Sequence, residues 1–155
     1  MKDVFKIALA GEGGQGVQSV AMILAEAAYD HGKEAIYIPN FGVEQRGGVS
    51  IAFVQIGESP IDAPKFKTGD IVVALSTRAI MRTKTYVDEN TIFIYDSSNI
   101  VSQEILPQNT RKIIPIPAVK VAKEEFHPRV FNIIILGAIL GVESIITKTQ
   151  AEEAI

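Results

Sequence analysis

Apolar positions in this chain fall into short continuous runs that alternate with segments of helical period. Val4 to Ala10 is the first run, with no polar residue in its second half, as in a central strand buried on both faces. From about Gln15 to His31 the spacing changes. Val17, Val20, Ala21, Leu24, Ala27 and Ala28 recur at helical intervals and form one broad core-facing stripe. Gly32 follows where a helix closes in the left-handed conformation, and His31 in the last turn complements the helix dipole, a plainer role than that of a ligand. Ala35 to Ile38 then reads as a second strand, ended by Pro39. Residues 4–38 therefore predict a βαβ unit opening a doubly wound sheet.

The alternation continues. Val49 to Ile56 predicts a third strand, apolar on both faces, and Ile71 to Leu75 another buried one. Ser76 or Thr77 is placed to cap a helix reaching about Tyr86. Thr91 to Tyr95 is a further strand, and Lys112 to Ile116 a last one, confined to an edge by Pro115 and Pro117. Ala118 to Phe126 predicts a short helix. Phe131 to Val142, preceded by Pro128, predicts a helix apolar all round, which requires cover on every side. Gly137 and Gly141, four apart, would admit a close neighbour, either core or a partner subunit. Thr149-Gln150-Ala151-Glu152 is a capping-box pattern that starts a helix only a few residues before Ile155. An isolated helix needs about 12–15 residues, so the expectation is one domain over 1–155, truncated relative to its gene product.

Composition narrows the function classes. The chain has 155 residues, 47% apolar and 21% charged, as in a globular domain. A net charge of −3 argues against a sequence-independent grip on nucleic acid. There is no cysteine, so this chain cannot ligate zinc or an iron–sulfur cluster through thiolates. The longest uncharged apolar stretch, Val130 to Val142, is shorter than the roughly 18 residues that span a bilayer. The first residues lack a signal peptide's long apolar core, and a cytoplasmic protein without membrane partners is expected.

The candidate chemistry lies between elements. Gly11-Glu12-Gly13-Gly14-Gln15-Gly16 matches G-x-G-x-x-G between a strand and a helix, where unpaired N–H groups suit an anion. A dinucleotide site also wants an acid at the end of the second strand, and Tyr37-Ile38-Pro39-Asn40 offers none. His31 and His127 belong to no metal or nucleophile motif, and no serine sits in a G-x-S-x-G elbow. Glu44 and Arg46 stand out on a loop flanked by Gly42, Gly47 and Gly48, at the same end of the expected sheet as the first glycine loop. A solvated surface pair is the alternative for these two residues.

Taken together, the two loops resemble the gamma subunit of 2-oxoacid:ferredoxin oxidoreductases. The resemblance rests on Gly11 to Val17, Ala21 to Ala28, Pro39 to Gly48 and Pro60-Ile61. It continues through Gly69 to Leu75, Ile94-Tyr95-Asp96, Pro117-Ala118, and Asn132 with Leu136-Gly137-Ala138. It implies a Rossmann-like three-layer α/β fold with a mostly parallel sheet, in a subunit inactive alone. The complex would oxidatively decarboxylate a 2-oxoacid, 2-oxoglutarate before pyruvate, to an acyl-CoA with electrons passing to ferredoxin. It implies alpha and beta partner subunits, a ferredoxin-like delta subunit, and a complex using thiamine diphosphate, Mg2+, iron–sulfur clusters and coenzyme A, none held by this chain alone. Carried onto this sequence, the candidate coenzyme A or subunit-interface positions are Gly11, Gly13, Gly14, Gln15, Gly16, Glu44 and Arg46. A free-standing dinucleotide-binding protein and a non-catalytic structural adaptor remain the alternatives.

Overall fold

A computed structural model describes residues 3–40, 48–98, 101–143 and 145–155. Its centre is a six-stranded sheet in the order β2-β3-β1-β4-β5-β6. The strands are β1 (Val4–Glu12), β2 (Glu34–Asn40), β3 (Val49–Gly57), β4 (Ile71–Ala74), β5 (Ile92–Asp96) and β6 (Lys112–Ile116). β1, β4, β5 and β6 are mutually parallel, whereas β3 runs antiparallel to both β1 and β2. Helices cover both faces, so the expected three-layer, mostly parallel α/β fold is present.

The opening βαβ unit differs from its expected form in one respect. β1 and β2 point the same way, but β3 is inserted between them, pairing along nine positions of β1 from Val4↔Gly57 to Glu12↔Val49. A strand covered on both faces reads as a continuous apolar run whether its neighbour is parallel or antiparallel, so the pattern of β3 carries no sign of this insertion. The proline-broken strand β6 is an edge strand, as its sequence requires.

Strand residues divide the core by their alternation. Ile7, Leu9, Val54, Ile56, Ile71 and Val73 face α1 (Val17–Asp30), α3 (Ala118–Glu125), α4 (Phe131–Val142) and α5 (Lys148–Ala154). Ala8, Ala10, Ile51, Val72, Ala74 and Phe93 face α2 (Thr77–Thr83) on the other side. α1 buries the six residues of its apolar stripe. It begins at Val17 rather than Gln15, because Gln15 belongs to the preceding turn. It ends in a Schellman motif: Gly32 at φ +84° donates to Tyr29 O, and Lys33 N–H reaches back to Ala28 O. Ser76 Oγ caps α2 by accepting from Ala79 N–H at 3.1 Å, an arrangement worth about 1 kcal/mol. After Thr83 the chain tightens into a 3-10 turn over Lys84–Tyr86, so the α-helix is shorter than expected.

Two further expectations are corrected. α5 starts from Thr147, not Thr149. Thr147 Oγ1 accepts from Gln150 N–H, and Gln150 Oε1 accepts from Thr147 N–H. Glutamine completes the box as well as glutamate does. Buried Ile146 and Ala151 flank the cap at the positions of a hydrophobic staple, which fixes the earlier register. α4 is not covered on every side. Phe131, Ile135, Leu136 and Ile139 are buried, between α1 and α3 and over the sheet, while Gly137 and Gly141 are exposed with nothing beside them. Among the described residues, no helix is long and apolar enough to cross a membrane.

Candidate functional site

β1 delivers the glycine loop to the carboxyl edge of the parallel strands, at the point where the sheet's direction changes between β3 and β4. The loop is held from within by Gln15. Its N–H donates to Glu12 O at 3.1 Å, its Oε1 accepts from Glu12 N–H at 2.6 Å, and its Nε2 donates to Leu75 O at 3.1 Å. One side chain thus fastens the turn to itself and to the end of β4.

The glycines have separable causes. Gly14 and Gly16 lie at φ +87° and +76°, where L-residues are strained. A Cβ on Gly11 would stand 2.8 Å from Gln15 Oε1 and 3.0 Å from Val17 Cγ1, so that glycine makes room for the fastening. Gly13 answers to neither demand. It is exposed, has no positive φ, and a Cβ there would meet nothing within 4 Å. Of the loop glycines it alone is not explained by packing among the described residues.

Gly16 is also the N-cap of α1, and among the described residues no side chain caps this helix. Its carbonyl accepts from Val20 N–H, which leaves the first-turn N–H groups without a capping side chain. Asn132, at the second position of α4, packs against the same spot, its Cβ 3.1 Å from where a Gly16 Cβ would lie. Behind the loop, Gln18 Nε2 donates to Ser50 Oγ at 2.8 Å and Ile51 O at 3.1 Å, while Tyr37 O–H donates to Gln18 Oε1. Burial of the Tyr37 phenol raises its pKa above the ordinary value. Arg78 Nε lies 3.3 Å from Glu12 Oε1 at the rim, a half-exposed pair.

The structure brings Gly11, Gly13, Gly14, Gln15 and Gly16 into one turn. Glu44 and Arg46 lie outside the described residues, but the strand ends flanking their loop are placed. Val49 pairs with Glu12 and Asn40 with Ile51, so the β2–β3 connection leaves the sheet at the same edge as the glycine loop. Gln18, Ser50 and Tyr37 join the neighbourhood unannounced by any motif, because the register of β3 decides their meeting. Asn132 had a signal only through the family resemblance.

Other residues of the resemblance have structural work. Asp96 Oδ1 accepts from Ser98 N–H and O–H, and Ser98 Oγ in turn accepts from Lys120 N–H in the first turn of α3. Asp70 Oδ2 accepts from Lys6 N–H at 2.9 Å at the opposite edge of the sheet. His31 Nδ1 lies 2.9 Å from Ala27 O and its Nε2 3.1 Å from Glu153, in keeping with a role at the end of α1. His127 Nδ1 accepts from Arg129 N–H. Among the described residues no three His, Cys, Asp or Glu side chains are grouped to hold a metal ion. Among the described residues the arrangement is a glycine-lined helix end with no capping side chain and no nucleophile–base pair.

Comparison with known proteins agrees with the geometry. The family model for pyruvate ferredoxin/flavodoxin oxidoreductase matches residues 6–155. The 2-oxoglutarate synthase subunit KorC of Methanocaldococcus jannaschii is 38% identical over 153 residues, covering 97% of this chain and 81% of the relative. The crystal structure of the keto/oxoacid ferredoxin oxidoreductase gamma subunit from Geobacter sulfurreducens superposes with a TM-score of 0.85 at 29% identity, over 99% of this chain and 83% of that one. The 2-oxoglutarate:ferredoxin oxidoreductase of Magnetococcus marinus, solved with 2-oxoglutarate, coenzyme A and succinyl-CoA bound, gives 0.88 at 26% identity. There the match covers 99% of this chain but 27% of the other, so the same fold is one part of a much longer polypeptide. The chain belongs to the pyruvate ferredoxin/flavodoxin oxidoreductase family, as a gamma-type subunit of a 2-oxoacid:ferredoxin oxidoreductase.

Proposed function

We propose that this chain serves a thiamine-diphosphate-dependent complex that oxidises 2-oxoglutarate, and that its carboxyl-edge loops help to hold coenzyme A. The observation that carries the ligand reading is Gly13: an open glycine, with no packing cause among the described residues, beside a helix N-terminus that none of their side chains caps. Such an end favours a phosphate through its free N–H groups and the helix dipole. Coenzyme A carries phosphates that suit this end and supplies, when bound, the thiol that accepts the acyl group. On this chain, Gly13 and the first turn of α1 would approach a phosphate, and Arg46 would add its charge from the neighbouring loop. Similarity to KorC supports 2-oxoglutarate as the substrate. Thiamine diphosphate with Mg2+ and the iron–sulfur clusters are assigned to the alpha, beta and ferredoxin-like delta partners. For the clusters the reason is chemical, since this chain has no cysteine thiolate. Ferredoxin is the proposed acceptor.

A reconstituted complex tests the reading. The isolated chain is expected to show no turnover with 2-oxoglutarate, coenzyme A and ferredoxin, and turnover by it alone would refute the subunit role. In the complex, Gly13→Val or Arg46→Ala should raise the KM for coenzyme A by about tenfold, the scale of one charge-assisted hydrogen bond, with assembly intact. The second reading, a structural adaptor, draws on the internal bonds of Gln15, which explain most of the loop without a ligand. Lost assembly with unchanged KM in the residual complex would favour it.

A further inference from the structure

The sheet ends on one side in a strand that is not protected as edge strands ordinarily are. β2 pairs with β3 without a bulge, from Glu34↔Gly57 to Asn40↔Ile51, and among the described residues no strand pairs with its outer side. Exposed edges are commonly blunted by lysine, proline or bulges. β6, at the other end of the sheet, carries Lys112 and Pro115. β2 reads EAIYIPN, has no lysine, and meets its only proline next to its last residue. That proline also sets the direction of the backbone. Pro39 has no N–H to give to β3, so it occupies an outward-facing position in the ladder. The two-residue period then turns the main-chain groups of Ala35 and Tyr37 outward as well.

A cavity of about 250 Å3 adjoins the end of this strand, lined by Ile38, Pro39, Phe53, Phe66 and Tyr86, with Lys65 at its exposed side. Topology explains why it is there. Only eight residues separate Asn40 from Val49, and the α2 face of this half-sheet is covered by the irregular segment before β4. Phe66 and Tyr86 meet Phe53 edge-to-face, with ring centroids 5.6 and 5.2 Å apart. Ile38 is paired with Phe53 and points to the same face. The volume would accept one large apolar side chain. Lys65 is exposed and has no acidic partner among the described residues.

We infer that the outer edge of β2 and this cavity together receive an extended segment of a partner subunit. The segment adds a seventh strand, seats one aromatic or aliphatic side chain between Phe53, Phe66 and Tyr86, and brings an acidic residue to Lys65. Strand addition of this kind takes affinity from main-chain bonds and selectivity from a pocket for an alternate side chain. The inference rests on the subunit reading above. Its further support is the exposed cation Lys65 beside the cavity, and the 27% share of a longer chain that this fold occupies in its relative, where further polypeptide accompanies it.

Hydrogen exchange tests it directly, using the isolated chain and the assembled complex. In the isolated chain the amides of Ala35 and Tyr37 should exchange fast, while those of Ile36 and Ile38, bonded to β3, are protected and serve as controls. On assembly, Ala35 and Tyr37 should slow by about tenfold or more. Lys65→Glu, an exposed change, should weaken assembly by about tenfold with the melting temperature unaltered. A complex in which both amides keep their free rates overturns the inference and leaves the subunit reading standing. Failure to form any complex overturns both. Protection in the isolated chain that rises with its concentration would show a second copy on the edge, and also refute the proposal. Unchanged assembly by the Lys65→Glu chain would remove the acidic residue from it.

Discussion

Gln15 carries more of the glycine loop than the glycines do. It accepts from Glu12 N–H and donates to Leu75 O, bridging the ends of two parallel strands that only the fold brings together. Gln15→Ala deletes both bonds and strands a partly buried donor and acceptor, a loss of about 1–3 kcal/mol. Urea unfolding should show it as a lower midpoint with an unchanged slope. The glycines should separate in the same assay. Gly16→Ala forces a side chain into φ +76° and to 3.1 Å from Asn132 Cβ, and should cost about 1–3 kcal/mol. Gly13→Ala meets nothing and should stay within about 0.5 kcal/mol of the parent. A G-x-G-x-x-G string could not have told these positions apart. Three of them are decided by the turn's own dihedrals and by Gln15, which appear only once the chain is folded.

At the scale of elements, the sequence was most legible where one local cause decides the outcome. The stripe from Val17 to Ala28 became the buried face of α1, and Gly32 closed it at φ +84°. Pro115 kept β6 at an edge. Boundaries were lost where two local signals overlapped. Thr147-x-x-Gln150 and Thr149-x-x-Glu152 are both capping-box patterns, and the earlier one, flanked by buried Ile146 and Ala151, is the one that forms. Helix α4 shows the converse error, since a uniformly apolar sequence implied cover that the fold does not supply. Gly137 and Gly141 sit on its open side with free space beyond them. Glycine inside a helix costs roughly 0.5–1 kcal/mol relative to alanine. Gly137→Ala should therefore stabilise the isolated chain by about that amount, measured as a raised unfolding midpoint. A fall in stability would mean that the glycine meets a neighbour in the chain itself.

At the scale of the molecule, the edge at which the two loops leave the sheet was legible in the sequence, and the neighbour of β1 was not. The β2–β3 connection departs at the glycine-loop edge because β1 and β2 point the same way, as the expected βαβ unit had it. The insertion of β3 between them sets Ser50 opposite Gly11, and so beside α1. That does not follow from apolar periodicity, because a strand buried on both faces looks alike in either direction. Strands β2 and β3 are tied to α1 by a polar chain: Tyr37 O–H to Gln18 Oε1, and Gln18 Nε2 to Ser50 Oγ and Ile51 O. Tyr37→Phe removes the outermost bond and should lower stability by about 1 kcal/mol at neutral pH. Its pH dependence identifies the cause. Burial raises the Tyr37 pKa in the folded chain, so the folded state disfavours the phenolate. The contribution of a group shifted this way is complete below its unfolded pKa, about 10, and is lost as pH rises through the folded value. Parent and Tyr37→Phe chains should thus differ by a constant amount up to about pH 9 and converge above pH 10, as the parent alone loses this contribution. Melting temperatures measured across that range decide the matter, and parallel curves throughout would show that Tyr37 ionises no less readily in the folded chain than in the unfolded one.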